Sequence, residues 1–361
     1  MQSNKLRMAI RATAAVAVLG VAGQAQAFDF KAGDVDASVY GYARLSMSYD
    51  IDENLASANN VQSGDPNTIA GGDVDGHFGA SANQSRFGIK ATNADGVMMN
   101  IEGDFAFGSG RFRLRHGYGS YNGVLAGQTW SNYNSFVAST PTLDFNGVVG
   151  NAGYQSRTAQ LRYTTGAMSF SVEDPKSSVP SGRDSTPAFT ARFENSSGGM
   201  GFSAAAVVKQ NSYDDGTNDD STLGFGVFGA ASFAISDMFT IRGALNYVDG
   251  ATSYLYLSGG SDAVVQGTSL ENNSGMGGTL GTSIKLGGGS SINVAYGMTT
   301  LDDENLAAGA TEANQNLFVN YMWTPVKNVM MGVEYGYHEN EKQSGASEDA
   351  NRVMFAAQYN F

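Results

Sequence analysis

The 361-residue chain contains no cysteine, which removes disulfides and thiolate chemistry together. It has six prolines and three histidines, His77, His116 and His338. None of the histidines stands in a His-Glu-x-x-His motif and no Gly-x-Ser-x-Gly occurs, so an enzyme is not expected. Beyond its first residues the chain also lacks an apolar run near the roughly 20 residues that a membrane-spanning helix needs. Positive charge is in deficit, with a formal net charge of −13, and this argues against nucleic-acid binding.

What is present begins with a secretory leader. Lys5, Arg7 and Arg11 form a basic start, 12–22 is apolar, and Ala25-Gln26-Ala27 is a small-x-small cleavage site. Cleavage after Ala27 leaves one domain, 28–361, and removes three positive charges (−13 − 3 = −16). Forty-seven glycines and seventeen tyrosines suit an all-β protein with many turns.

Alternating segments fill the rest of the chain and predict sixteen strands. They are 35–49, 84–93, 97–107, 111–120, 123–129, 157–165, 167–174, 187–195, 200–209, 222–235, 239–249, 276–286, 290–299, 315–324, 328–338 and 351–361. Short turns such as Asn122-Gly123 and Gly287-Gly288-Gly289 alternate with long polar loops, among them 50–83, 130–156 and 250–275. In 250–275 the run Tyr254-Leu255-Tyr256-Leu257 leaves open an extension of a strand. An even strand number, a leader and a terminal strand ending in Phe361 together predict a transmembrane antiparallel β-barrel of the bacterial outer membrane. An open sheet of that size would leave long edges exposed, which closure removes.

Parity then sorts the charges. Arg44, Arg86, Lys90, Arg111, Arg113, Arg115, Arg162, Arg192 and Arg242 lie opposite the apolar face of their strands, so they are expected to line the lumen. Facing lipid at mid-depth, an arginine would cost about 2–4 kcal/mol. Acidic residues gather instead in loops, with Glu102, Asp104, Glu194 and Glu334 the chief exceptions. A cationic wall concentrates anions and binds carboxylates through planar forks. The competing reading has inward arginines paired with carboxylates as supports, with Arg86 and Arg162 against Glu102 and Asp104. His116 shares parity with Phe112 and Leu114, which points it outward into a subunit interface, and Gly41 and Ala43 offer the close contact such an interface needs.

Several segments are recognisable. Gln84-Ser85-Arg86-Phe87-Gly88-Ile89-Lys90, Ile101-Glu102-Gly103-Asp104-Phe105 and Phe112-Arg113-Leu114-Arg115-His116-Gly117-Tyr118-Gly119 resemble motifs of the DcaP-like porins of Gram-negative outer membranes. Leu125-Ala126-Gly127-Gln128-Thr129-Trp130-Ser131 and Thr142-Leu143-Asp144-Phe145-Asn146-Gly147 extend the likeness, which is specific over 84–174. The resemblance implies a homotrimeric sixteen-stranded channel for small anionic solutes, dicarboxylates and aromatic carboxylates included, with Arg113 and Arg115 lining the pore. It implies that the loop 130–156, carrying Trp130, Tyr133, Asp144 and Asn146, folds inward as the third loop and narrows the lumen. Lipid, lipopolysaccharide and the assembly machinery that reads a terminal Phe361 are the partners expected, with no cofactor or metal. A sugar-selective or general diffusion porin is the alternative, with Tyr40 and Tyr42 as candidate stacking residues. The acidic stretch 211–220 lacks the spacing of an EF-hand.

Overall fold

The computed structural model describes residues 27–52, 55, 61–69, 76–106, 110–183 and 185–361. The expected leader, 1–27, lies outside the described residues except for Ala27. Twenty strands form. They are β1 Phe28–Ala32, β2 Val35–Asp50, β3 His77–Ser81, β4 Arg86–Thr92, β5 Met98–Asp104, β6 Arg113–Tyr121 and β7 Val124–Trp130. Next come β8 Arg157–Thr165, β9 Met168–Glu173, β10 Ala188–Ser197, β11 Met200–Asp214, β12 Asp219–Ala234 and β13 Phe239–Asp249. The remainder are β14 Ala263–Gln266, β15 Ser269–Asn272, β16 Ser274–Gly287, β17 Ser290–Leu301, β18 Thr311–Val326, β19 Val329–Lys342 and β20 Ser347–Asn360.

Every sequence-predicted strand overlaps one of these, and eighteen of the twenty make a single sheet. Within it β3 and β4 both pair with the same side of β2, so they are one barrel strand interrupted at 82–85. On the other side of β2, β20 covers Tyr42–Asp50 and β1 covers Val35–Val39. Eighteen strands thus occupy sixteen positions, and pairing of β19 with β20 and of β20 with β2 closes an antiparallel barrel. At the seam Gly41 and Phe361 exchange both backbone hydrogen bonds, 2.9 and 3.0 Å.

Three features depart from the alternation read in sequence. β1 and β3 lie in stretches expected to be unpaired. The pair β14–β15 is a separate hairpin, and Tyr254-Leu255 belongs to a buried 3-10 turn rather than a strand extension. β6 begins at Arg113, so Arg111 falls in the exposed link before it.

Burial is inverted relative to a water-soluble sheet. On β2, Arg44, Ser46, Ser48 and Asp50 are buried while Leu45 and Tyr49 are exposed. Leu245 at 76 % and Leu280 at 63 % exposed mark an outer face that only lipid or a neighbouring subunit would cover. The core therefore lies in the lumen, where loops pack on inward side chains.

Candidate pore constriction

Residues 131–156 leave β7 and turn inward along the wall. Buried backbone groups need partners, and inward side chains of successive strands supply them. Glu173 of β9 accepts from Ser131 Oγ and Asn132 N, both at 2.6 Å. Arg192 of β10 donates to Asn134 O at 2.5 Å. Asn246 of β13 accepts from Gly153 N at 3.0 Å and donates to Gly150 O at 2.6 Å. Asn316 of β18 accepts from Val149 N at 3.0 Å and donates to Gly147 O at 3.2 Å. Glu334 of β19 accepts from Leu143 N and Asp144 N at 2.7 and 2.8 Å, and Arg44 of β2 closes the arc on Leu143 O at 2.7 Å. Asparagine carries both a donor and an acceptor, which explains its use on this wall. Inward glycines make the seat: a Cβ on Gly297 would lie 2.1 Å from Val149 O, and one on Gly281 2.0 Å from Thr140 Oγ1.

Two further segments lock onto this loop. In 61–69, Gly64 N donates to Asp144 Oδ2 at 2.6 Å and Gln62 O accepts from Phe145 N at 2.8 Å. In 250–262, Tyr256 O accepts from Gly150 N and Tyr256 OH donates to Asn146 O, both at 3.0 Å. The buried pair Lys209–Asp262, 2.5 Å, fixes that segment to β11. Asp144 also accepts from Asn146 N at 2.8 Å, so it is a knot between loops rather than a pore charge. Burial pushes its carboxyl up to about 6, although Arg352 and three backbone N–H groups pull it down.

The arc of these contacts runs from β9 to β2, and among the described residues none of them falls on β4 to β8, the bare wall. That wall carries the charge. Arg113 reaches Asp104 at 2.5 Å, and Arg115 reaches Asp104 at 2.6 Å and Glu102 at 2.8 Å. Arg86 lies 3.2 Å from Glu102. Three guanidinium groups against two carboxylates leave a surplus of one positive charge. Arg115 is only 2 % exposed with both carboxylates engaged, whereas the Arg113 side chain is 29 % exposed. The loop meets this wall at Phe145, whose ring centroid lies 5.6 Å from the Arg115 guanidinium.

A β-bulge shapes this cluster. Asp104 pairs with Arg113 and Gly103 with Leu114, but Glu102 pairs with His116, so Arg115 is the extra residue. The bulge resets the phase of the strand and re-aims its side chains. His116 is consequently inward and buried, 2.9 Å from Thr129 Oγ1 and 3.9 Å from Glu102 Oε1. This corrects the expectation of an interface histidine, which assumed unbroken alternation through Arg115. Gly41 also has a different use: a Cβ there would fall 2.2 Å from Arg86 O and 3.1 Å from the Phe361 ring, so its smallness serves the seam. Ala43 remains outward and exposed.

The other nominated cations separate by role. Arg44 and Arg192 donate to the carbonyls of Leu143 and Asn134 and so fasten the loop, while Arg162 donates to that of Trp130 at the end of β7. Arg162 therefore bonds neither Glu102 nor Asp104, and those two carboxylates instead hold Arg113 and Arg115. Arg242 bonds Ser283 Oγ at 2.8 Å. Lys90 is exposed, 4.8 Å from the Tyr40 ring centroid, and Arg86 lies 5.0 Å from that of Tyr42. Tyr133 is fully buried against Phe228, at 5.1 Å between ring centroids, and fills the seat of the loop without facing the opening. Sequence reasoning missed Phe145 and Arg157; the latter lies 3.9 Å from the Trp130 ring centroid. Its sequence signal, a basic residue at a strand start, is one that parity cannot resolve.

Comparison with known proteins agrees with this architecture. A family model described as DcaP outer membrane protein matches residues 26–361. The crystal structure of the outer membrane channel DcaP of Acinetobacter baumannii is similar at 30 % identity and a TM-score of 0.82, covering 92 % of this chain and 99 % of that one. An anion-selective porin from Comamonas acidovorans shares the fold at 14 % identity and a TM-score of 0.59, over 91 % of this chain and 100 % of that one. OmpT of Vibrio cholerae does so at 13 % identity and 0.60, over 92 % and 100 %. No curated protein matches the chain in sequence. A closed sixteen-stranded outer-membrane barrel with this match along its length places the chain in the DcaP outer membrane protein family.

Proposed function

We propose that this porin passes small anionic solutes, dicarboxylates and aromatic carboxylates among them, by passive diffusion along the bare wall of β4 to β8. The observation that carries the reading is the charge surplus there: Arg86, Arg113 and Arg115 outnumber Glu102 and Asp104. A cationic strip beside low-dielectric walls raises the local concentration of anions. A protein of the same fold is described as anion-selective. Of the three arginines that share these carboxylates, Arg113 and Arg86 are partly open to a solute; Arg115 acts as the bracket that spaces the two carboxylates.

The sugar-selective alternative draws support from Tyr40 and Tyr42, which do face inward. Their rings, however, already pack against Lys90 and Arg86, where a pyranose would have to stack. Anions are favoured on that ground. Further parts of the reading are cleavage after Ala27, assembly as a homotrimer through outward small residues such as Ala43, recognition of Phe361 by the assembly machinery, and contact of the acidic loops with lipopolysaccharide. Mass spectrometry of the exported protein tests the first two.

The deciding measurement is the reversal potential of the channel in a planar bilayer under a potassium chloride gradient. Anion preference is expected, reduced severalfold by Arg113→Gln and by Arg86→Gln. Current block by succinate or phthalate, but not by maltose, is expected in the same bilayer. Cation preference of the unsubstituted channel would end this reading.

A further inference from the structure

The cations of the constriction are not equivalent. Arg113, Arg115 and Arg86 share Glu102 and Asp104. Arg44, Arg162 and Arg192 are committed to backbone carbonyls, and Arg242 to a hydroxyl. Arg157, the first residue of β8, has no carboxylate of the described residues within ion-pair distance, and its buried Nε has no hydrogen-bond partner. It stands opposite Trp130 in the pairing of β7 with β8, and Trp130 faces His116 of β6, so it belongs to the constriction. Its guanidinium carbon lies 3.9 Å from the Trp130 ring centroid, and Trp130 in turn is wedged against Phe136 at 4.9 Å and His116 at 6.0 Å between ring centroids.

We propose that Arg157 is the carboxylate-docking residue of the channel, with Trp130 as the plate that holds its guanidinium in place. This rests on the anion-channel reading and adds a residue and a ligand geometry to it. Stacking on an aromatic occupies a face of a guanidinium and leaves the in-plane N–H groups, the ones that bind a carboxylate in a bidentate fork. Neighbouring arginines whose acids are already supplied keep such a cation from folding back onto Glu102 or Asp104. The class of ligand selected is planar and carboxylate-bearing; a spherical halide gains the charge but not the fork. Lysine at this position would keep the charge and lose the second bond.

The test uses the full-length mature channel in planar bilayers, with block of chloride current by benzoate as one readout and the reversal potential as the other. Heat-dependent electrophoretic migration confirms that each variant is folded. For Arg157→Lys the half-blocking benzoate concentration is expected to rise about tenfold, since one of two charge-assisted bonds is lost. Arg157→Gln should raise it further and also lower the anion-to-cation permeability ratio. Trp130→Leu, which removes the plate and keeps the arginine, should weaken block by about threefold to tenfold, a cation–π-sized effect. Lys327→Gln removes a charge from an exposed turn, and the half-blocking concentration should not move. Block of Arg157→Lys at the concentration that blocks the unsubstituted channel overturns the fork. Unchanged block of Arg157→Gln, or absence of benzoate block in the unsubstituted channel, overturns the docking role altogether. Cation selectivity of the unsubstituted channel instead removes the reading beneath it.

Discussion

The two halves of the inner wall solve the same problem by opposite means. From β9 to β19 the inward residues that meet the loop pair with its backbone: the neutral Asn246, Asn316 and Asn320, and the ions Glu173, Arg192 and Glu334, which carry opposite signs. From β4 to β6 five inward residues, Arg86, Glu102, Asp104, Arg113 and Arg115, are ions that pair with one another. Both arrangements satisfy buried polar groups, but only the second leaves a net charge facing open space. An asparagine wall can be covered by any segment of backbone, because peptide groups and amides match. An arginine wall covered in that way would leave charges unpaired, which costs several kcal/mol per ion. The loop therefore lies on the half that matches peptide groups, and the passage proposed above runs beside the charged half. Glu334, Glu173 and Arg192, the ions on that side, fit the rule, since the acids accept from loop N–H groups and the arginine donates to a loop carbonyl.

The sharpest way to break this contrast is to remove an acid from the charged half. Asp104 is fully buried and serves both Arg113 and Arg115. Asp104→Asn should cost about 3–5 kcal/mol of unfolding free energy, the loss typical when one member of a buried ion pair is removed. The same variant raises the local charge surplus from one to two, so its reversal potential should move toward stronger anion preference even as its stability falls. Denaturant unfolding and bilayer recording give the two readouts. A stability loss with no gain in anion preference would mean that Asp104 is remote from the ion path.

On the other half the corresponding change is steric. Gly297→Val places a methine 2.1 Å from Val149 O, inside the contact distance of any atom pair. Overpacking of this kind costs about 1–3 kcal/mol, and here it can be relieved by lifting the loop off the wall. A loop displaced from β17 moves toward the charged strip, so a smaller single-channel conductance is expected with an unchanged sign of selectivity. A conductance equal to that of the unsubstituted channel would show that the 147–150 segment does not border the passage.

Much of this division was legible in the sequence, and the remainder was hidden for identifiable reasons. Inward phase for Arg44, Arg86, Arg113 and Arg115 follows from strand alternation alone, because lipid penalises the other choice. The inward turn of residues 131–156 came from resemblance, although the inward glycines of β16 and β17 and asparagines of β13 and β18 are a physical signal for a seat. His116 departs from the expectation because a bulge is a property of two paired strands: the three residues from Glu102 to Asp104 on β5 lie opposite four of β6, Arg113 to His116. The doublet Arg115-His116, two polar residues side by side in an alternating strand, was the only local hint. Within the loop 250–275 the run Tyr254-Leu255-Tyr256-Leu257 leaves a strand extension open because it is apolar; Tyr254 and Leu255 are buried by loop–loop packing in the lumen, a fate invisible to periodicity. β1 is five residues long and wholly exposed, so its pairing depends on the edge that β20 leaves uncovered along β2.

The smallest of these effects gives the cleanest test of the contrast. Asn316 holds the loop by two bonds, accepting from Val149 N and donating to Gly147 O, and carries no charge. Asn316→Ala leaves that N–H and C=O without their protein partner. In a dry core each orphan would cost about 1–3 kcal/mol. A water molecule fitting the vacated amide volume can replace most of that, so the net loss should be about 1 kcal/mol. Amide hydrogen exchange at Val149 should speed up about fivefold to tenfold, as a loss of that size allows local opening. The reversal potential should not respond, because nothing charged has been added, removed or released. A shift comparable to that of Arg113→Gln would mean that the loop backbone itself, and not the arginine wall, sets which ions pass, and the two halves would then have to be assigned the other way round.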